Sequence, residues 1–109
     1  MTYTVEISIQ ADADLRGIFE YIAFTLLSAE NAIGQLNRLE DSIMGLNQMP
    51  ERSREYEKEP WHSRRMRWMP VDNYLVYYIP NKDAGIVTII RVMFAGRDVD
   101  RQLAEYTEQ

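Results

Sequence analysis

The sequence contains no cysteine, so neither a disulfide framework nor a thiolate zinc site can form, and a reducing compartment suits the chain. Its single histidine, His62, has no acidic residues at ligand spacing, and Asp98-Val99-Asp100 alone is a weak metal signal. Glycine-rich phosphate loops, a nucleophile elbow and zinc-helix motifs are missing as well. No metal and no cofactor is therefore expected. No stretch approaches the roughly 20 apolar residues that cross a bilayer, so no membrane partner is expected. The first residues alternate as a strand does and show no basic stretch leading into an apolar run. A signal peptide is accordingly not expected, and the expected location is cytoplasmic.

Positive charge is scarce too. The net charge of −5 argues against a protein that coats nucleic acid with its whole surface. The scarcity is uneven: residues 1–51 carry a net −6, residues 52–67 a net +3, and residues 68–109 a net −2. Ten of the twelve basic side chains are arginine, which suits bidentate contact with phosphate or carboxylate.

The 109 residues, 46% hydrophobic and 27% charged, suffice for one domain spanning 1–109 with a single core. Tyr3, Val5, Ile7 and Ile9 alternate with Thr4, Glu6 and Ser8, the period of a half-buried strand. Asp12 or Asp14 can cap a following helix with an apolar stripe of Leu15, Ile18, Phe19, Ile22 and Leu26. Ser28 stands as the next N-cap, before Ala32, Leu36, Leu39, Ile43 and Leu46, and Met49-Pro50 stops this second helix. So short a connection predicts an antiparallel helical hairpin. Residues 51–63 lack a period and predict a loop. Three β-like runs come next: Arg64 to Met69 cut by Pro70, Tyr74 to Ile79 closed by Pro80, and Ile86 to Phe94 broken by Ala95-Gly96. Asp98 to Tyr106 predicts a short terminal helix. The order β-α-α-β-β-β predicts an α+β fold, with the two-helix hairpin packed on one face of a four-stranded, mainly antiparallel sheet.

Strand parity then sorts the arginines. It sets Arg65 and Arg67 opposite Met66 and Trp68, and Arg91, with Ile89 and Met93, opposite Ile90, Val92 and Phe94. Arg65, Arg67 and Arg91, with Arg97 beyond the strand, either converge as a basic concavity on the uncovered sheet face or pair with Glu55, Glu57, Glu59 or Asp98 as solvated charges. His62, between Trp61 and Ser63, is a base near neutral pH or simply a surface residue. Trp68, Tyr74, Tyr77 and Tyr78 either stack on bases or pack across strands.

Together these residues resemble a known family. Glu59-Pro60-Trp61-His62-Ser63-Arg64-Arg65-Met66-Arg67-Trp68-Met69, then a turn and Tyr74-Leu75-Val76-Tyr77-Tyr78-Ile79, resembles the centre of RelE/ParE toxins. The run Ile90 to Asp98 is similar to their closing strand and its arginine-aspartate end. Ala13-Asp14-Leu15, Ile18 and Tyr21-Ile22 resemble the start of their helical hairpin. The likeness covers nearly the whole chain in the right order.

The resemblance implies the toxin of a type II toxin–antitoxin module, a plasmid-stabilising growth inhibitor neutralised by a cognate antitoxin. It implies a homodimer or a hetero-oligomer with that antitoxin. Its RelE-like members cut mRNA on the ribosome, using arginines on the middle and last strands and a terminal tyrosine or histidine. Its ParE-like members poison DNA gyrase and lack that full set. Carried over, Arg97 falls at the last-strand arginine, Tyr74 at the middle-strand arginine, Phe94 where some nucleases place histidine or tyrosine, and Leu103 near another terminal tyrosine, with Tyr106 displaced. These departures favour a ParE-like gyrase inhibitor. The alternatives are an mRNA endoribonuclease using Arg65 or Arg67, Arg97 and Tyr106, and a non-toxic interaction module. Under either toxin reading, Arg65, Arg67, Arg91, Arg97 and Trp61 are the expected contacts to target or antitoxin.

Overall fold

The computed structural model describes residues 2–96 and 98–107, and of Tyr106 only the backbone. Arg97 and the Tyr106 side chain, both candidates above, lie outside that description. Strand β1 (Thr4–Ile7) leads into α1 (Ile9–Glu20), a π-helical turn (Tyr21–Thr25) and α2 (Ala29–Met44). Then come β2 (Arg54–Glu55), β3 (Arg67–Val71), β4 (Tyr74–Asn81), β5 (Ile86–Phe94) and α3 (Val99–Tyr106). The sheet is five-stranded in the order β1-β5-β4-β3-β2, with β1 parallel to β5 and every other pair antiparallel. The α+β class, the helical hairpin and the short C-terminal helix match expectation. The strand count does not, because the stretch expected as loop contributes Arg54 and Glu55 as β2.

Helix α1 begins at Ser8, whose hydroxyl accepts the Ala11 N–H at 3.1 Å. Asp12 and Asp14, expected as caps, lie inside the helix. Ser28 precedes α2 as expected, but its side chain makes no capping bond; its carbonyl accepts the Ala32 N–H instead. The stripe of α1 ends at Ile22, because the π-turn inserts extra backbone and rotates the residues after it. Leu26 is consequently exposed.

Pro70 and Pro80 were expected to end their strands, yet both lie within them. Each sits where its strand has a neighbour on one side only. Strand β2 pairs no further than Trp68, and β3 pairs β4 only from Val71 back to Arg67, opposite Tyr78. Proline is tolerated at such edges because no ladder bond is lost.

Two cores flank the sheet. Tyr3, Leu15, Leu39, Ile43, Val71, Val76, Tyr78, Val87, Ile89 and Val92 form the first, under the helical hairpin. The second joins Tyr56, Trp61, Met66, Tyr77, Met93 and Leu103, with Trp68, Leu75, Ile79, Ile90 and Val99 against them. The sheet face expected to be open is thus covered by the 56–66 segment and α3. A bulge between Tyr77 and Tyr78, which face Arg91 and Ile89, leaves Ile90 unpaired. The extra residue reverses strand parity, so Ile89 joins the hairpin core and Ile90 the second core, the opposite of the simple alternation.

Candidate functional site

The register separates the arginines. Arg67 pairs with Tyr78, of the hairpin core, and Arg91 with Tyr77, of the second core. The expected convergence on one open face does not occur.

Arg91 is buried and serves as a structural tie. Its Nε and one terminal nitrogen donate to the two Asp14 carboxylate oxygens at 2.7 and 2.9 Å, and the other terminal nitrogen donates to the Thr107 hydroxyl at 2.9 Å. Asp14 also accepts the backbone N–H of Val92 at 2.9 Å. At that point β1 has ended at Ile7, opposite Ile89, and the carboxylate takes the place of the missing strand. One cluster therefore joins α1, β5 and the C-terminal segment.

Trp61 is likewise internal, only 2% exposed at the centre of the second core. The group that reaches solvent beside it is Arg64, whose guanidinium lies 5.2 Å over the indole. Of the described buried side-chain polar atoms, Trp61 Nε1 alone has no partner.

Arg65 and Arg67 do come together. With Lys82, Tyr3, Met49, Glu51, Glu55 and Pro80 they line a groove of about 500 Å³. Arg67 is held against its wall, donating to the Glu51 and Ser53 carbonyls at 2.7 and 2.6 Å and to Glu55 at 3.2 Å. The Tyr3 hydroxyl donates to Glu51 at 2.6 Å; that bond holds the Glu51 carboxyl below its ordinary value and pushes the Tyr3 phenol up. The groove's carboxylates are thereby engaged. Arg65 is exposed, in a left-handed backbone conformation (φ 62°), and Lys82 is exposed. Neither forms an ion pair among the described residues. Both cations remain available to an anionic group, Lys82 also drawing the Glu51 carboxyl down by its charge. Tyr3, Glu51 and Lys82 were not foreseen here, since they come from three distant elements and share no motif.

A second pocket involves Arg54, Lys58, His62 and Trp68. His62 Nδ1 lies 3.0 Å from the Tyr56 carbonyl, so one ring nitrogen is engaged by the backbone. The Tyr56 hydroxyl and Lys58 ammonium both donate to Asp100, which fastens α3 to the loop. Burial, followed by that bond to Asp100, pushes the Tyr56 phenol well above its ordinary range.

Three positions carried over from the nuclease pattern, Tyr74, Phe94 and Leu103, hold uncharged side chains. The Tyr74 and Phe94 rings touch, their centroids 5.9 Å apart, and Leu103 is buried in the second core. Among the described residues, no group of histidine and acidic side chains can hold a metal ion.

Residues 5–99 match the family model described as the ParE toxin of the type II toxin–antitoxin system, parDE. Among solved structures, the chain resembles a chain of the chromosomal ParDE system from P. aeruginosa, with a TM-score of 0.69 at 16% identity, covering 85% of this chain and 96% of that one. It also resembles chains of the RelE–RelB complex from Pyrococcus horikoshii (TM-score 0.62, 17% identity, 89% and 99% covered) and of the RelBE2 complex from Mycobacterium tuberculosis (0.59, 19%, 86% and 99%). At such identities these structures share the fold. The sequence matches no curated protein.

Proposed function

The chain belongs to the ParE toxin family of type II toxin–antitoxin systems, and on that premise we propose that it inhibits DNA gyrase by binding it and does not cut RNA. It is a toxin subunit, and a cognate antitoxin neutralises it; the ParDE and RelBE structures it resembles come from such toxin–antitoxin pairs. Among the described residues no helix is long and apolar enough to cross a membrane, and we place the protein in the cytoplasm with its target.

One observation carries the non-nucleolytic reading. Cleavage of a ribose-phosphate backbone needs a base for the 2′-hydroxyl and cations for the charge that develops on phosphorus. At three positions of the nuclease pattern the chain has Tyr74 and Phe94, packed on each other, and Leu103, buried. None of the three supplies a cation. The groove with Arg65 and Lys82 in its wall is then a contact surface, suited to carboxylates or phosphates of a partner.

Purified toxin tested on gyrase supercoiling, beside primer extension on translated message, separates the mechanisms. Loss of supercoiling with intact message is expected. Codon-positioned cuts in the message with supercoiling unaffected overturn the proposal in favour of a ribosome-dependent nuclease.

A further inference from the structure

The turn between α1 and α2 carries a group of large exposed apolar side chains. Phe24 is 70% exposed and Leu27 85%, with Tyr21, Leu26 and Ile33 each more than half exposed. A domain that leaves so many apolar side chains exposed within one short stretch of chain points to something docking there. The backbone that presents them is unusual: Tyr21–Thr25 is a π-helical turn, and Leu27 holds a left-handed conformation (φ 53°). That conformation disfavours a branched side chain.

The segment that forms this tip carries charge of one sign. From residue 17 to residue 37 there is no lysine or arginine, while Glu20 and Glu30 flank the apolar side chains. Neither glutamate is in an ion pair or hydrogen bond among the described residues. The nearest cations along the chain are paired, Arg16 with Asp12 and Arg38 with Asp72, although Arg16 lines one pocket with Glu20. Two copies meeting tip to tip would bring four like charges together, which disfavours self-association. An anionic membrane surface is disfavoured on the same ground.

We propose that the hairpin tip is a docking surface for a protein segment with an apolar face flanked by lysine or arginine. The apolar side chains supply the area and the two glutamates select the flanks. The surface lies apart from the groove of Arg65 and Lys82, which favours the opposite charge, so the domain offers two docking surfaces of opposite sign. The proposal stands whether or not the chain acts on gyrase.

The test uses the full chain and two labelled amphipathic helical peptides of about 14 residues, one of leucine and lysine and one of leucine and glutamate. Fluorescence anisotropy should show the lysine peptide binding at least about tenfold more tightly than the glutamate peptide, with affinity falling between about 0.05 and 0.3 M salt. A Phe24→Ser, Leu27→Ser double variant and a Glu20→Lys, Glu30→Lys double variant should each lose about tenfold or more. All four positions are exposed, so both variants should keep the wild-type melt. Equal binding of the lysine peptide by wild type and both variants overturns the proposal. So does equal binding of the two peptides. Self-association of the wild type that Phe24→Ser, Leu27→Ser abolishes would assign the tip to a second copy, and binding to neutral phosphatidylcholine vesicles that the lysine peptide fails to displace would assign it to lipid.

Discussion

Replacing Arg91 by methionine should strongly destabilise the fold. The Arg91 and Asp14 side chains are only 8% and 15% exposed, and removing one member of so buried a pair strands the other's charge, at about 3–5 kcal/mol. Unfolding entropy for 109 residues is about 0.23 kcal/mol per kelvin at the midpoint. The expected fall in Tm is then about 13–22 °C. Asp14→Asn should cost less than Asp14→Ala, because an amide oxygen can still accept the Val92 N–H. The double variant Arg91→Met, Asp14→Leu should cost clearly less than the sum of its single changes, since it leaves no orphaned charge. Thermal melts of these variants, with Asp14→Leu alone to complete the cycle, read this directly. A fall of less than about 4 °C for Arg91→Met, corresponding to roughly 1 kcal/mol, would refute the reasoning and would mean that water reaches the guanidinium.

Three further outcomes are expected. Burial, aided by the charge of Asp100, pushes Tyr77 up to about 12 from an ordinary 10.0. The folded chain thus keeps a proton that the unfolded chain gives up first, so stability holds below pH 10 and declines as pH rises towards 12, by up to about 2–3 kcal/mol from this residue; melts across pH 9–11.5 should show a shallower decline for Tyr77→Phe, and identical declines would discard the assignment. Trp61→Ala should cost about 3–5 kcal/mol by opening a cavity in the second core, whereas Trp61→Phe, which also removes the unpartnered N–H, should cost markedly less; a wild-type melt for the alanine variant would contradict the burial. Arg65→Ala combined with Lys82→Ala should change stability by less than about 1 kcal/mol yet weaken growth inhibition or antitoxin binding, and full retention of both would remove the groove from the working surface.

Where a pattern repeats, the sequence was readable. The alternation from Tyr3 locates β1, which ends at Ile7 because Ile9 begins α1 and is exposed, and the apolar spacing from Ala32 to Leu46 locates α2 with its buried face. The second core has no such period. Tyr56, Trp61 and Met66 lie on a turn-rich segment and Leu103 on a helix of eight residues, so their association depends on tertiary packing that no local pattern encodes. Strand β2 is two residues held by pairing with Arg67 and Trp68, too short for any alternation. The exposed tip was not legible: periodicity assigns Leu26 to the buried stripe, and the π-turn at Tyr21–Thr25 that turns it outward has no local pattern.

The arginines show most clearly where alternation stops being a guide. Counting by twos along β5 puts Arg91 with Ile89 and Met93, which is sound only while every residue is paired. Ile90 is not, and beyond that bulge the side chains change faces. The strand on which Arg67 lies differs in another way: Met66 and Trp68 pack in the second core, so Arg67 follows Met69 and Val71 towards the hairpin. The two guanidiniums, expected side by side, therefore end up on opposite faces with different tasks. Arg91 closes the fold where β1 runs out. Arg67 braces the 51–55 segment and leaves Arg65 and Lys82 as the charges a partner can reach. A toxin surface built this way should tolerate loss of Arg65 structurally and not loss of Arg91, so inactivity of an Arg91 variant says nothing about contact until its melt is known.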